Sequence, residues 1–261
     1  MKALYIASTG MSAQERNVEV ISNNIANMRT TGFKRQRVEF QDLLYQNYRR
    51  VGTSTSDQGT RLPVGLDIGA CVKVVGTPRI MSQGSVLPTE KELDVTIRGE
   101  GFFRVQMPDG RIAFTRAGSF ELDAEGRVVT PEGYVVDPGI TVPQDAVGIT
   151  INQQGLVQVM QPGQTAPSDI GQLQLARFVN KSGLQPIGDN LFLETASSGA
   201  PQDGTPGTDG FGTLLQGHLE QANVNSVTEI ADLIAAQRAY EMNARVISGA
   251  DEMMQATSQL R

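Results

Sequence analysis

The two ends of this chain carry apolar residues in the same rhythm. Leu4, Ala7, Met11, Gln14, Val18, Ile21, Ile25 and Met28 recur at alternating spacings of three and four, and seven of the eight are apolar. Toward the other end Ile230, Leu233, Gln237, Tyr240, Ala244, Ile247, Asp251 and Met254 repeat that spacing. Such a rhythm lays a stripe along one side of a helix and predicts a heptad seam facing a partner. Isolated helices are marginal in water, so each seam needs something to cover it. Matching period and length predict that the N- and C-terminal helices pair as a coiled coil. The alternative is that each packs separately on the segment between them.

The first helix is expected to end near Thr30-Thr31-Gly32, where β-branched residues meet a turn residue. The last is expected to start at about Val227, with Asn225 or Ser226 as its N-cap and Glu229 closing a capping box with Ser226. Asn27 and Gly32 suit the left-handed backbone of a helix stop, and Asn223 suits a turn before the last helix. Phe33–Tyr48 is amphipathic and fits a helix or an extended arm. Tyr48–Pro63 is polar, without period, and reads as a flexible loop.

Between the ends the pattern changes to short β-branched runs separated by turn residues. Examples are Cys71–Val75, Leu93–Ile97, Phe102–Val105, Leu156–Val159, Leu173–Phe178 and Leu191–Leu193. Asp109-Gly110 is a strong hairpin signal, and Glu125-Gly126 and Gln154-Gly155 are weaker ones. The 28 Gly and the low aromatic content of 5% fit many turns and short strands. The expected fold is mixed and mainly β, with terminal helices around an inserted body of short antiparallel strands. Its expected parts are a helical domain of residues 1–32 with 215–261, an arm and polar loop at 33–63, a β-rich body at 64–194, and a Gly/Pro-rich return linker at 195–214.

The side chains present exclude several chemistries. Cys71 is the only cysteine and His218 the only histidine, so neither a disulfide nor a multi-histidine metal site can form within one chain. No cofactor is expected. Asp94, Glu100 and Asp109 lie by Gly-rich turns, with no nucleophile motif beside them, and read as surface turn residues. Gly99-Glu100-Gly101 lacks the following helix and Lys-Ser/Thr of a phosphate loop. A carbohydrate-binding module would want aromatic platforms, and the chain has no Trp.

Net charge is −6 but unevenly spread. Residues 1–50 hold eight basic and four acidic residues, while 182–237 hold seven acidic and none basic. The two stretches either attract at contact range or are ordinary surface variation. Lys34, Arg35 and Arg37 form a basic cluster that is either a solvated face or an inter-subunit ion-pair site; nucleic acid does not fit an acidic chain without a binding motif. Gln14 and Gln237, polar on apolar seams, are candidates for setting register, and Arg238 with Glu241 is an i,i+3 pair. No stretch has the ~20 apolar residues of a spanning helix, so no membrane insertion is expected. Gln14, Glu15 and Arg16 interrupt the N-terminal apolar patch too early for a cleaved signal peptide.

Three stretches carry a family likeness. Asn23-Asn24-Ile25-Ala26-Asn27 followed by Thr30-Thr31-Gly32-Phe33-Lys34-Arg35 resembles the N-terminal signature of bacterial flagellar axial proteins, the rod, hook and hook-associated subunits. Asn223-Val224-Asn225-Ser226-Val227 with Gln237-Arg238-Ala239-Tyr240-Glu241 resembles the matching C-terminal signature. Gln83-Gly84, Leu93–Ile97, Gly99–Phe103 and Phe114–Phe120 resemble the β domain shared by rod and hook proteins. Arg29 departs from the small or polar residue frequent there.

The resemblance implies a structural subunit and no enzyme. The chain's length and the run from Arg35 to Tyr45 are similar to the distal-rod branch; the family also contains proximal-rod and hook subunits. It further implies self-assembly into a rigid helical tube that transmits torque and encloses the export channel. Implied partners are other copies, proximal-rod and hook proteins, the P-ring and L-ring bushing, and the flagellar type III export apparatus. The implied location is the basal-body rod crossing the periplasm. The expected assembly residues are Leu4, Met11, Val18, Ile21, Ile25, Met28, Ile230, Leu233, Tyr240, Ile247 and Met254. The signature turns and caps are Asn24, Asn27, Gly32, Phe33, Asn223 and Asn225.

Overall fold

A computed structural model of the chain describes residues 2–52, 64–164 and 166–259. It divides into two compact units. The first comprises Met1–Ile25, Gln36–Pro78 and Asn225–Arg261. The second comprises Ala26–Arg35 and Arg79–Val224.

In the first unit the heptad ends are helices, α1 at Lys2–Ala26 and α2 at Ser226–Gln259. They pack against each other and run antiparallel. A Cβ on Gly10 would lie 3.0 Å from the Asn243 side chain, and Asn24 hydrogen-bonds Glu229. Fourteen residues on along α1 thus match fourteen residues back along α2. The chain after α1 is extended. Glu39–Asp42 pairs with Val72–Gly76, and Tyr45–Arg49 nests inside, paired with Leu66–Gly69. Residues 64–78, expected in the β body, are therefore the return strand of the arm's own ribbon. Most of the loop expected at Tyr48–Pro63 lies outside the described residues.

The second unit is built on the strand Phe102–Gln106. It pairs with Ile112–Thr115 through the Asp109-Gly110 hairpin, with Val135–Val136, and with Leu175–Arg177. Strand periodicity sends neighbouring side chains to opposite faces. Phe103 joins one cluster with Val95, Ile97, Phe120 and Leu214, while Phe102 joins another with Phe114, Phe178 and Phe192. Each fully buried side chain of this size contributes ~1.5–3 kcal/mol.

The stretch 195–214, expected as a linker, belongs to this unit: Gln202–Gly204 and Thr213–Gln216 are paired strands, and Ser198 and Leu214 are buried. Two late strands complete the unit. Thr213–Gln216 lies on Val95–Arg98, and His218–Glu220 lies on Val86–Pro88. Among the described residues no helix is long and apolar enough to cross a membrane, and no group of three or more His, Cys, Asp or Glu could hold a metal ion.

Candidate assembly surfaces

The helix pair buries mostly small and polar residues, with one isoleucine among them. On α1 these are Ala7, Ala13, Ile21 and Asn24; on α2 they are Glu229, Ala236 and Ala250. Leu4, Met11, Val18 and Ile25 are half-buried, as are Leu233, Ile247 and Met254. Met28 falls past the end of α1 and is exposed. The expected seam on α2 is displaced at three of its positions. Ile230, Gln237 and Asp251 are exposed, whereas the residue before each, Glu229, Ala236 and Ala250, is buried. Small side chains let two helix backbones approach, and the larger neighbours are pushed to the flanks. A count of large apolar residues cannot detect such a contact line.

Polar register lies at Asn24 and Glu229, not at the two glutamines. Asn24 Nδ2 donates to Glu229 Oε2 at 3.1 Å. It also donates to the Gln36 carbonyl at 2.9 Å, and the Gln36 N–H donates back to Asn24 Oδ1 at 2.9 Å. Asn24, expected as a turn residue, therefore joins α1, α2 and the start of the ribbon. Gln14 is half-buried and accepts from Asn17 at 3.4 Å, and Gln237 is exposed. Asn225 caps α2, its Oδ1 accepting the N–H groups of Val227 and Thr228 at 3.0 and 3.3 Å. The expected capping box gives way to the Asn24 contact, because Glu229 is turned inward. Arg238 and Glu241 form no ion pair with each other among the described residues.

In the second unit the signature residues converge on one buried carboxylate. Glu220 Oε1 accepts from Lys34 Nζ at 2.5 Å and from the Gly84 N–H at 2.9 Å. Its Oε2 accepts from Arg116 Nε at 3.0 Å and Nη2 at 2.8 Å. Lys34 and Glu220 are each 1% exposed. The remaining donors reach carbonyls: Lys34 to Ser82, and Arg116 to Gly99 and Gly101. Desolvation pushes the Lys34 ammonium below its ordinary range, against the pull of Glu220.

Lys34 is thus no surface cation, contrary to both readings of the basic cluster. Its charge is used inside the chain, where the basic N-terminal stretch meets the acidic C-terminal one. Arg37 is exposed and pairs with Glu39 at 3.1 Å, and the Arg35 N–H donates to Asn223 Oδ1 at 2.8 Å.

The turn leading into this cluster depends on Gly32. Its φ is +70°, and a Cβ there would lie 2.6 Å from the Ala117 nitrogen. Its N–H donates to the Glu220 carbonyl at 2.8 Å. Phe33 is buried beside it, and Asn27 accepts the Thr30 hydroxyl at 3.2 Å. Asn223 Nδ2 reaches the carbonyls of Ile80 and Ser82 at 2.7 and 3.1 Å. Sequence reasoning missed Arg116, Glu220 and the inward role of Glu229, which stand far from their partners in the chain and carry no period.

Outside these contacts α2 remains apolar. Val227 is 76% exposed, Met242 and Met253 62% each, and Ile230 49%. Tyr240, Ile234 and Val246 are exposed as well.

Comparison with known proteins matches three separate regions. Residues 4–34 match the family described as flagella basal body rod protein. Residues 96–159 match the flagellar hook protein FlgE/F/G D1 domain, and 215–260 match the flagellar basal body rod FlgEFG protein C-terminal family. The flagellar basal-body rod protein FlgG of Caulobacter vibrioides is 56% identical over 261 residues, covering 100% of both chains. FlgG of Buchnera aphidicola subsp. Schizaphis graminum is 49% identical over 258 residues, 99% of each chain. FlgF of the same Caulobacter strain is 32% identical over 255 residues, covering 96% of this chain and 94% of its own.

Proposed function

The chain belongs to the FlgG family of flagellar basal-body rod proteins, and from that premise we propose that it polymerises as the distal-rod subunit, forming a stiff helical tube that transmits torque and encloses the export channel. It is a structural subunit of the rod and works without catalysis. The observation that carries the reading is the apolar surface left on α2. A helix of 34 residues that buries only Glu229, Ala236 and Ala250 among those described, yet exposes Val227, Ile230, Ile234, Met242, Val246 and Met253, has apolar area to cover. In a tube, neighbouring copies cover it.

The expected assembly set is sharpened accordingly. Leu4, Met11, Val18, Ile25, Leu233, Ile247 and Met254 flank the intramolecular contact, while Ile230 and Tyr240 join the outer residues that meet other copies. The β unit would face outward toward the P-ring and L-ring bushing, and the ends of the polymer would meet proximal-rod and hook proteins. The chain would leave the cytoplasm through the flagellar type III export apparatus. The higher identity to FlgG relatives than to FlgF favours the distal position over the proximal one.

A chain lacking residues 1–25 tests the reading. It should remain soluble with its β unit folded and fail to polymerise under conditions where the full chain does, as seen by electron microscopy. Tubes formed by the truncated chain would overturn the role of the helices. Basal bodies from cells lacking the chain should have rods that stop short; complete rods bearing hooks would exclude the distal placement.

A further inference from the structure

Three Asp-Gly pairs stand in the chain, at Asp109-Gly110, Asp203-Gly204 and Asp209-Gly210. Such a pair is prone to cyclise, because glycine carries no side chain to shield its nitrogen from the preceding carboxyl. All three aspartates are exposed, so access of water does not separate them. Their bonding does. The Asp109 carboxyl accepts the Arg111 N–H at 3.0 Å and its guanidinium at 2.6 Å, and the Gly110 N–H donates to the Met107 carbonyl at 3.0 Å. The Arg111 bonds also hold the Asp109 carboxyl below its ordinary range, in the ionised form that does not condense. Asp203 pairs with Arg104 at 2.9 Å, and both it and Gly204 lie in the strand Gln202–Gly204, paired with Leu175–Arg177. The Phe211 ring closes over Gly204, where a Cβ would lie 2.4 Å from it.

Asp209-Gly210 has none of these restraints. It forms the centre of a turn closed by the Phe211 N–H on the Thr208 carbonyl at 2.9 Å, with Gly210 at a φ of +85°. Among the described residues the Asp209 carboxyl has no hydrogen bond or ion pair, and the Gly210 N–H donates to nothing. We propose that Asp209 is the site at which the folded chain converts spontaneously to isoaspartate. The Gly210 nitrogen bonds to Asp209 Cγ, and the carboxyl hydroxyl leaves as water with the proton from that nitrogen. Water then opens the five-membered succinimide at the former main-chain carbonyl. The C–N bond there breaks, the chain continues through Cβ and Cγ, and an α-carboxylate is released. Water is the only co-reactant.

The product lengthens the backbone by one methylene between two fixed points. Before it, the Thr208 hydroxyl donates to the Thr205 carbonyl at 2.7 Å; after it, the Gly212 N–H donates to the Glu100 carbonyl at 2.7 Å. Between them Arg177 donates to the Gly210 carbonyl at 3.4 Å and stacks on Phe211, 5.7 Å from the ring centroid. Isoaspartate therefore displaces the Gly210 carbonyl from Arg177 and moves the carboxylate from the end of the side chain to Cα.

Ageing the full chain at neutral pH tests the assignment, followed by digestion with an endoprotease that cuts before aspartate but not before isoaspartate. After several weeks the uncut fraction at Thr208-Asp209 should exceed those at Pro108-Asp109 and Gln202-Asp203 at least ~10-fold, because the latter two react only after local opening. In concentrated urea the three should convert at similar rates. A carboxyl methyltransferase specific for isoaspartate should label the aged wild type, and label aged Asp209→Glu several-fold less, since glutamate would have to close a slower six-membered ring. Equal uncut fractions at the three sites of the folded chain, a lead of Asp209 that persists unchanged in urea, or labelling of Asp209→Glu equal to wild type would overturn the proposal.

Discussion

The β unit and the helix pair use opposite kinds of residue inside. The β unit buries Phe103, Phe114 and Phe120 and pairs both of its buried cations, Lys34 and Arg116, with its own Glu220. The helix pair buries alanines, an asparagine, a glutamate and one isoleucine, Ile21, and leaves the isoleucines and methionines of α2 half-buried or exposed. Alanine contributes roughly one methyl to a contact, a fraction of what a buried phenylalanine gives. One region therefore satisfies its apolar surface within the chain, and the other keeps a surplus for neighbours. The difference separates a part built to fold from a part built to be completed by assembly.

The strongest challenge to that contrast is Glu220→Gln. It leaves Lys34 and Arg116 buried against a neutral group and should destabilise the β unit by ~3–5 kcal/mol in denaturant unfolding. Next is Ala236→Leu, which puts three further carbons on the buried side of α2. It should cost ~1–3 kcal/mol of helix pairing, read as lost helical circular dichroism, while the β unit unfolds as before. If both units lose stability together, the two are one cooperative block and the contrast fails.

Ile230→Glu should move monomer stability by less than ~0.5 kcal/mol yet weaken self-association, since that side chain is exposed in one copy. The smallest effect belongs to Asp109, at the Phe102–Thr115 hairpin tip. The Arg111 N–H at 3.0 Å and its guanidinium at 2.6 Å hold this carboxyl below its ordinary range. Its contribution is complete above an unfolded-state value of ~3.9 and is lost as pH falls through the lowered folded value. Asp109→Asn should therefore flatten the acid limb of the stability curve below about pH 4.

Much of this architecture was readable in the chain. The two helices follow from period, and the hairpins at Asp109-Gly110, Glu125-Gly126 and Gln154-Gly155 stand where turn chemistry put them, each Gly at positive φ. The interior of the helix pair was not readable, because Ala236, Ala250 and Gly10 look like filler until two backbones are brought together. Nor was the Glu220 cluster: its members are 186 and 104 residues apart in the chain, and only the fold makes them neighbours. Lys34 shows the difficulty best. Beside Arg35 and Arg37 it looks like one more surface cation, and only the position of Glu220 decides otherwise.

That cluster also fixes how the β unit takes a load. Lys34 stands one residue before the chain first leaves the unit, at Arg35, and Glu220 stands just before it leaves for the last time, at Val224. The two gates are fastened side by side, like the ends of a belt at its buckle. A pull on the two outgoing segments is then borne by the buckle and the short ladder of His218–Glu220 on Val86–Pro88, and the larger sheet is spared.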